Sequence, residues 1–237
     1  MNKKNMTLAQ HFAELRRRIL VTLAVFGLAF VAGWWAAPWL QDFLTSPLMG
    51  VWPNGALLYT GLTDGLMIRL ALSGLVAIAA AVPVGLYQAW AFAAPGLTRR
   101  ERAFIWPVMV VSPLLFIAGA AFAFWVLFPF AFRFFIELNT SGGAPTIMMP
   151  AARGYMLFAI RMLAVFGAAF QLPLVLVLLN RVGVLSRATA ARMRRYAIVI
   201  IIIAAAVLTP PDVVSQVLLA LPMWLLFECS LLFMRRD

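Results

Sequence analysis

The chain has 237 residues, 65% hydrophobic and 11% charged, where a soluble domain of this size carries about 45–50% apolar and about 25% charged residues. These proportions exclude an ordinary soluble globular protein, a disordered chain, a coiled coil and a collagen-like chain. Lys+Arg 19 against Asp+Glu 8 gives a net charge of +11; the single Cys229 excludes an intramolecular disulfide or a cysteine zinc cluster, and the single His11 excludes an HExxH site.

In chain order, Thr7-Leu8-Ala9-Gln10 has capping-box spacing. Leu8, Phe12, Leu15 and Ile19 then recur at helical intervals, with Gln10, Glu14 and Arg18 on the other face. This predicts an amphipathic helix over about residues 8–18 at the membrane interface. Arg16-Arg17-Arg18 before an apolar run has the form of a twin-arginine export signal. The run from Ile19 is, however, longer than the roughly 7–15 residues of a cleavable apolar region, and five more runs follow, so it reads as a first transmembrane helix.

Charge-free windows cover 19–41, 70–98, 103–132, 162–180, 196–211 and 213–227, of 23, 29, 30, 19, 16 and 15 residues. A hydrocarbon core of about 30 Å needs about 20 helical residues, so the first four suffice and the last two are short. The apolar run from Tyr196 to Leu208 reaches only about 20 Å. The reading is an all-α polytopic membrane protein, a single transmembrane domain over 1–237. Its six spans cover about 19–40, 70–94, 104–129, 155–180, 196–209 and 213–234. Prolines at 83, 107, 113, 129, 173 and 222 predict kinks, with freed backbone groups met by neighbouring elements. Two further windows, 43–63 and 138–152, are interrupted by Gly and Pro and read as loops.

Six spans put both termini on one side, and the segments on that side hold 15 of the 19 basic residues. The bias makes that side cytoplasmic and accounts for most of the positive charge without nucleic acid. No GxSxG, Walker-type loop, zinc constellation or paired intramembrane acids are present, so no catalytic residue, metal or cofactor is assigned.

The acids carry the functional signal. Glu14 precedes Arg18 at i,i+4, a helix-stabilising pair, and Glu101 closes a capping box with Thr98. Both also lie on the cytoplasmic face, where a cationic peptide could meet them together. A carboxylate accepts two parallel bonds from a guanidinium but not from an ammonium, which would select paired arginines over paired lysines. Gln171 lies near the middle of span four, and Glu228 lies deep enough in span six to need a partner. Asp212, after Thr209-Pro210-Pro211, is placed to cap span six, and Gln216, one turn on, could bond back to it.

These residues fall in blocks that resemble the TatC subunit of the twin-arginine protein translocase. They are HFAELRRR at 11–18, SPL at 46–48, YQAWAFAAPGLTRRER at 87–102, FPFAFRFF at 128–135, FGAAFQLP at 166–173, LTPPDVVSQVLLALP at 208–222 and LFE at 226–228. The resemblance implies a concave, glove-like bundle in the bacterial inner membrane, both termini cytoplasmic, acting as a receptor and not an enzyme. Its implied partners are twin-arginine signal peptides of folded cargo, single-span TatA- and TatB-type subunits, further copies of itself and membrane lipid, with transport driven by the proton-motive force. Carried over by position, Glu14 and Glu101 match the signal-binding acids, with Arg16, Arg18, Leu8 and Leu15 in the same region. Pro47 matches a periplasmic-cap position, Gln171 an intramembrane polar site, and Pro210, Asp212 and Gln216 the turn into span six.

Two departures stand out: Phe124 occupies a position expected to be tyrosine, and Gln171 a position where some relatives carry glutamate. A neutral amide does not titrate, so Gln171 acts by hydrogen bonding. The short spans five and six could act by thinning the bilayer. The competing classes are a solute transporter, against which stand the lack of self-similarity between the two halves and the scarcity of ionisable groups at depth, and a ligand-free membrane scaffold.

Overall fold

Two prolines, Pro38 and Pro47, decide how far the first helix can continue. The computed structural model describes residues 8–53, 55–93, 105–140, 149–208 and 213–235. In it α1 runs from Leu8 to Val51, 44 residues or about 66 Å. The interfacial helix and the first span are therefore one rod, roughly twice the thickness of the hydrocarbon, and residues 43–51, read from sequence as loop, are helical.

The reason is local. A proline at position i leaves the carbonyl at i−4 without its donor, and in α1 both freed carbonyls receive another. Pro38 frees the Trp34 carbonyl, which accepts from Arg69 Nε at 3.0 Å. Pro47 frees the Phe43 carbonyl, which accepts from Ser46 Oγ at 2.7 Å. The Arg69 guanidinium also lies over the Trp34 ring, 4.5 Å from its centroid, so this cation is both hydrogen-bonded and set against a π face.

Arg69 belongs to α2 (Asp64–Ala93), which returns antiparallel to α1 and is its chief packing partner. The two backbones approach closely at Gly33, where a Cβ would lie 2.9 Å from Ser73 Cα. The connection into α2 is closed by Asp64, whose Oδ2 accepts from Gly61 N at 2.7 Å, Thr60 N at 3.0 Å and Thr60 Oγ1 at 3.1 Å. Its Oδ1 faces Arg153 Nη1 at 3.6 Å.

The third span is α3 (Ile105–Phe122), a π-helical turn over Ala123–Leu127 and α4 (Phe128–Thr140). Phe128 N–H reaches back five residues to Ala123 O; the widened turn ends two residues before Pro129, which has no N–H to continue the ladder. The fourth span is α5 (Ala152–Ala169) and α6 (Gln171–Arg181), broken at Phe170. Pro173 falls in the first turn of α6, where the missing N–H is least costly. A short α7 (Arg187–Arg192), capped by Ser186 Oγ on Thr189 N at 3.1 Å, leads to α8 (Arg194–Leu208) and α9 (Val213–Phe233). At 15 residues α8 is about 22 Å long, the short span expected.

The core lies where α1, α2 and the third and fourth spans meet, around Leu44, Ile68, Leu72, Phe128, Met156, Met162 and Phe166. A row of ring contacts runs through it, stacked from Phe43 to Phe124 (4.3 Å between centroids) and tilted from there to Phe128, Phe132 and Tyr155. The missing hydroxyl at 124 is explained here, because Phe124 is buried between rings. The hydroxyl of this row is on Tyr155 instead, which donates to Leu44 O at 2.6 Å. Small residues let the third and fourth spans touch: a Cβ on Gly119 would lie 2.3 Å from Phe166 O, and one on Gly167 would lie 2.6 Å from the Phe116 ring.

The bundle has two distinct ends. At one, the loops before α2 and α5 are joined by a short parallel bridge, Leu58 N to Pro150 O at 3.0 Å and Ala152 N to Leu58 O at 2.8 Å. At the other, Arg18 of α1 meets Gln88 of α2, Trp90 packs with Val108 and Leu178, and Asn180 Oδ1 accepts from Arg235 N at 2.7 Å. The described start and end of the chain therefore share one end of the bundle.

Replacing Gly119 by Leu should push α3 from α5 and lower stability by about 1–3 kcal/mol, read as a drop in thermal midpoint of the detergent-purified protein. Gly27→Leu, at a position with open space around its Cβ, should leave the midpoint within about 0.5 kcal/mol of wild type.

Candidate functional site

The end shared by the termini carries a polar recess built on α1 and α2. Helical spacing brings Glu14 and Arg18 together: Glu14 Oε1 accepts from Arg18 Nη2 at 2.6 Å and Nε at 3.2 Å. The same guanidinium reaches across to α2, Nη1 donating to Gln88 Oε1 at 3.0 Å and, more weakly, to Gln88 O at 3.4 Å. One arginine thus fixes the carboxylate and ties the two helices at this level. Glu14 Oε2 is buried and accepts no hydrogen bond among the described residues, an orphan acceptor of a kind rare in folded proteins.

Glu14, Arg17, Arg18, Val21 and Gln88 line a recess of about 290 Å³. Sharing Arg18 and Gln88 with it is an apolar cavity of about 380 Å³, walled by Leu15, Ile19, Leu23 and Phe92. His11 stacks on Phe92, 4.3 Å between centroids. The arrangement offers a hydrogen-bond acceptor bearing negative charge beside an apolar trough, which suits a cation carried on an apolar chain.

Of the residues singled out in the sequence, Glu14, Arg18 and Leu15 come together here, and Arg16 is exposed on the same helix. Leu8 opens α1, its side chain outside the described residues, and Glu101 also lies outside them. Gln88, Phe92 and His11 were missed as a set. Gln88 and Phe92 do sit in the YQAWAF block, but nothing in local spacing says that residue 88 meets residue 18.

The intramembrane polar residues are placed elsewhere, and each has partners. Gln171 is buried and satisfied on both sides: Ser112 Oγ donates to its Oε1 at 2.7 Å, and its Nε2 donates to Ser112 O at 3.0 Å and Gly167 O at 3.5 Å. It clamps α6 to α3. Glu228 forms a fork-to-fork pair with Arg194, Nε to Oε1 and Nη2 to Oε2 both at 2.8 Å, joining α9 to α8. Gln216 donates to Ile202 O at 3.1 Å, so its described bond runs across to α8. Pro47 lies within α1, while Pro210 and Asp212 lie outside the described residues. Among the described residues no group of His, Cys, Asp and Glu is placed to hold a metal ion.

Comparison with known proteins agrees over nearly the full length. Residues 10–222 match the family model described as Sec-independent protein translocase protein (TatC). The TatC protein of Azotobacter chroococcum mcd 1 is 39% identical over 231 residues, covering 97% of this chain and 89% of the relative. That of Escherichia coli K12 is 35% identical over 229 residues, covering 96% and 88%. A crystal structure of the twin-arginine translocase receptor TatC in DDM superposes with a TM-score of 0.86 at 33% identity, covering 95% of this chain and 99% of that one.

The Gln171 clamp makes a quantitative expectation. Gln171→Leu leaves buried Ser112 without its side-chain partner and should cost about 1–3 kcal/mol. Combined with Ser112→Ala, the loss should fall short of the sum of the single changes by about 0.5 kcal/mol or more in a double-mutant cycle on thermal unfolding. An additive cycle would mean the two side chains are not coupled.

Proposed function

The chain belongs to the TatC family of Sec-independent protein translocase proteins, and we propose that within the translocase it is the receptor for twin-arginine signal peptides. As a family member it is a transport protein of the bacterial inner membrane, multi-pass and not an enzyme.

The observation that carries the reading is Glu14: one carboxylate oxygen is held by Arg18, and the other is buried without a donor among the described residues, at a recess that adjoins an apolar trough. A peptide guanidinium donates to Oε2 while Arg18 keeps Oε1, so binding completes a hydrogen-bond set and strips no partner from the protein. A charge-assisted bond of this kind contributes about 1.5–3 kcal/mol before the peptide's ordering cost. Arginine is favoured over lysine because its planar fork can bond a carboxylate while presenting further donors to Gln88. The second arginine of the pair goes to Glu101. The apolar stretch that follows such a pair lies on Leu15, Ile19, Leu23 and Phe92.

The basic bias of the sequence assigns this end to the cytoplasm, where a signal peptide arrives. Single-span TatA- and TatB-type subunits and further copies of the chain complete the assembly, and the proton-motive force drives passage. Gln171, a satisfied amide, contributes rigidity and no proton to that process.

Photo-crosslinking a synthetic twin-arginine peptide to the purified protein tests the reading, with a twin-lysine peptide as control. Glu14→Gln and Glu101→Gln should each weaken labelling by roughly 10-fold or more while thermal stability stays near wild type. Equal labelling by the two peptides, or undiminished labelling of the double variant, would remove the receptor reading.

A further inference from the structure

The same end of the bundle bears a second feature, on spans four to six, that peptide recognition leaves unused. Between residues 138 and 211 the sequence contains no Asp or Glu, yet Arg187, Arg192, Arg194 and Arg195 fall close together. Only Arg194 is neutralised by a carboxylate among the described residues, through Glu228. Arg195 is instead fixed on a ring: its guanidinium lies 4.9 Å from the centroid of Tyr196, and Nη2 donates to the Tyr196 hydroxyl at 3.2 Å.

Tyr196 is in turn a wall of an apolar groove of about 390 Å³ between α6, α7, α8 and α9, together with Leu176, Leu185, Met193, Ile200 and Phe227. Leu185 and Met193 lie at the helix ends, Ile200 and Phe227 one to two turns inside. The groove therefore begins at the level of the arginines and continues into the depth of the bundle. The positive-inside bias explains why arginines occur in this segment. It does not require one of them to be held on a tyrosine that walls an apolar groove, with no carboxylate among the described residues to balance it.

We propose that this groove is a site for an anionic phospholipid, one acyl chain lying between α6, α8 and α9 and the phosphate held by Arg195 with Arg192. Charge decides the occupant. A bilayer lipid presents a phosphate anion joined to an apolar chain, and the protein offers a guanidinium set on the ring of Tyr196, itself a wall of the apolar groove; basic pockets between transmembrane helices bind lipid headgroups on this principle. A transmembrane partner helix would fill the apolar part alone and leave the cations unpaired. The guanidinium fork of Arg195, prealigned by Tyr196, bonds phosphate oxygens in the way it bonds a carboxylate.

Native mass spectrometry of the full chain in detergent, with dioleoyl phosphatidylglycerol against dioleoyl phosphatidylcholine, gives the test. The wild type should retain phosphatidylglycerol in preference. Arg192→Gln with Arg195→Gln should lower that retention by on the order of 30-fold without moving the thermal midpoint, since both side chains are exposed. Ile200→Trp, which fills the groove and leaves every arginine in place, should abolish the preference by itself. Equal retention of the two lipids, or wild-type retention by either variant, would overturn the proposal. So would an Ile200→Trp protein that keeps its lipid and loses a partner subunit, which would assign the groove to a helix.

Discussion

A backbone carbonyl that loses its helical donor inside hydrocarbon has no water to replace it, and the architecture of this chain depends on how that debt is met. Pro38 would end a span in isolation; α1 continues because α2 supplies Arg69 Nε to the freed Trp34 carbonyl. The helix is thus a product of its neighbour as much as of its own residues. Pro47 is accommodated by the adjacent Ser46 hydroxyl. Where proline falls in the third span the ladder widens to a π turn, and in the fourth it restarts after Phe170. Each solution holds the proline in a rod that still crosses the bundle.

The polar groups that remain divide by satisfaction, and that division separates scaffold from site. Gln171 and Ser112 exchange bonds and bind two spans together. Glu228 and Arg194 close each other's valences. Glu14 alone among the described carboxylates has a buried oxygen with no donor, although an arginine is already attached to the other. An acid that is positioned but not saturated fits the receptor reading proposed above: Arg18 holds the geometry and leaves one oxygen open.

Much of this was legible in the sequence, because charge spacing in a membrane protein is nearly a map. The windows between charges indicated the four long apolar helices and the brevity of the run after Tyr196, although α9, at 21 residues, is longer than its 15-residue window, and the scarcity of acids drew attention to Glu14. Local rules were less reliable where the deciding partner is remote. Gly and Pro after residue 43 signalled a loop, since no pattern within α1 reveals that its freed carbonyls have donors. Gln216 also has a remote partner that its spacing does not announce, the Ile202 carbonyl across a helix interface. Gln88 was visible only as part of a motif, because its role arises from an encounter with a residue 70 positions away.

The long first helix has a mechanical consequence. It is pinned at three heights: by Arg18 to Gln88, by Trp34 to Arg69, and by Leu44 to Tyr155. The outer two attachments are 26 residue steps apart, about 39 Å of helix, with the middle one seated at a proline where a helix would otherwise bend. A beam supported in this way does not flex independently at its ends. A tilt imposed where Glu14 stands is passed to the fourth span through Tyr155, so the two ends of the bundle are joined by a strut.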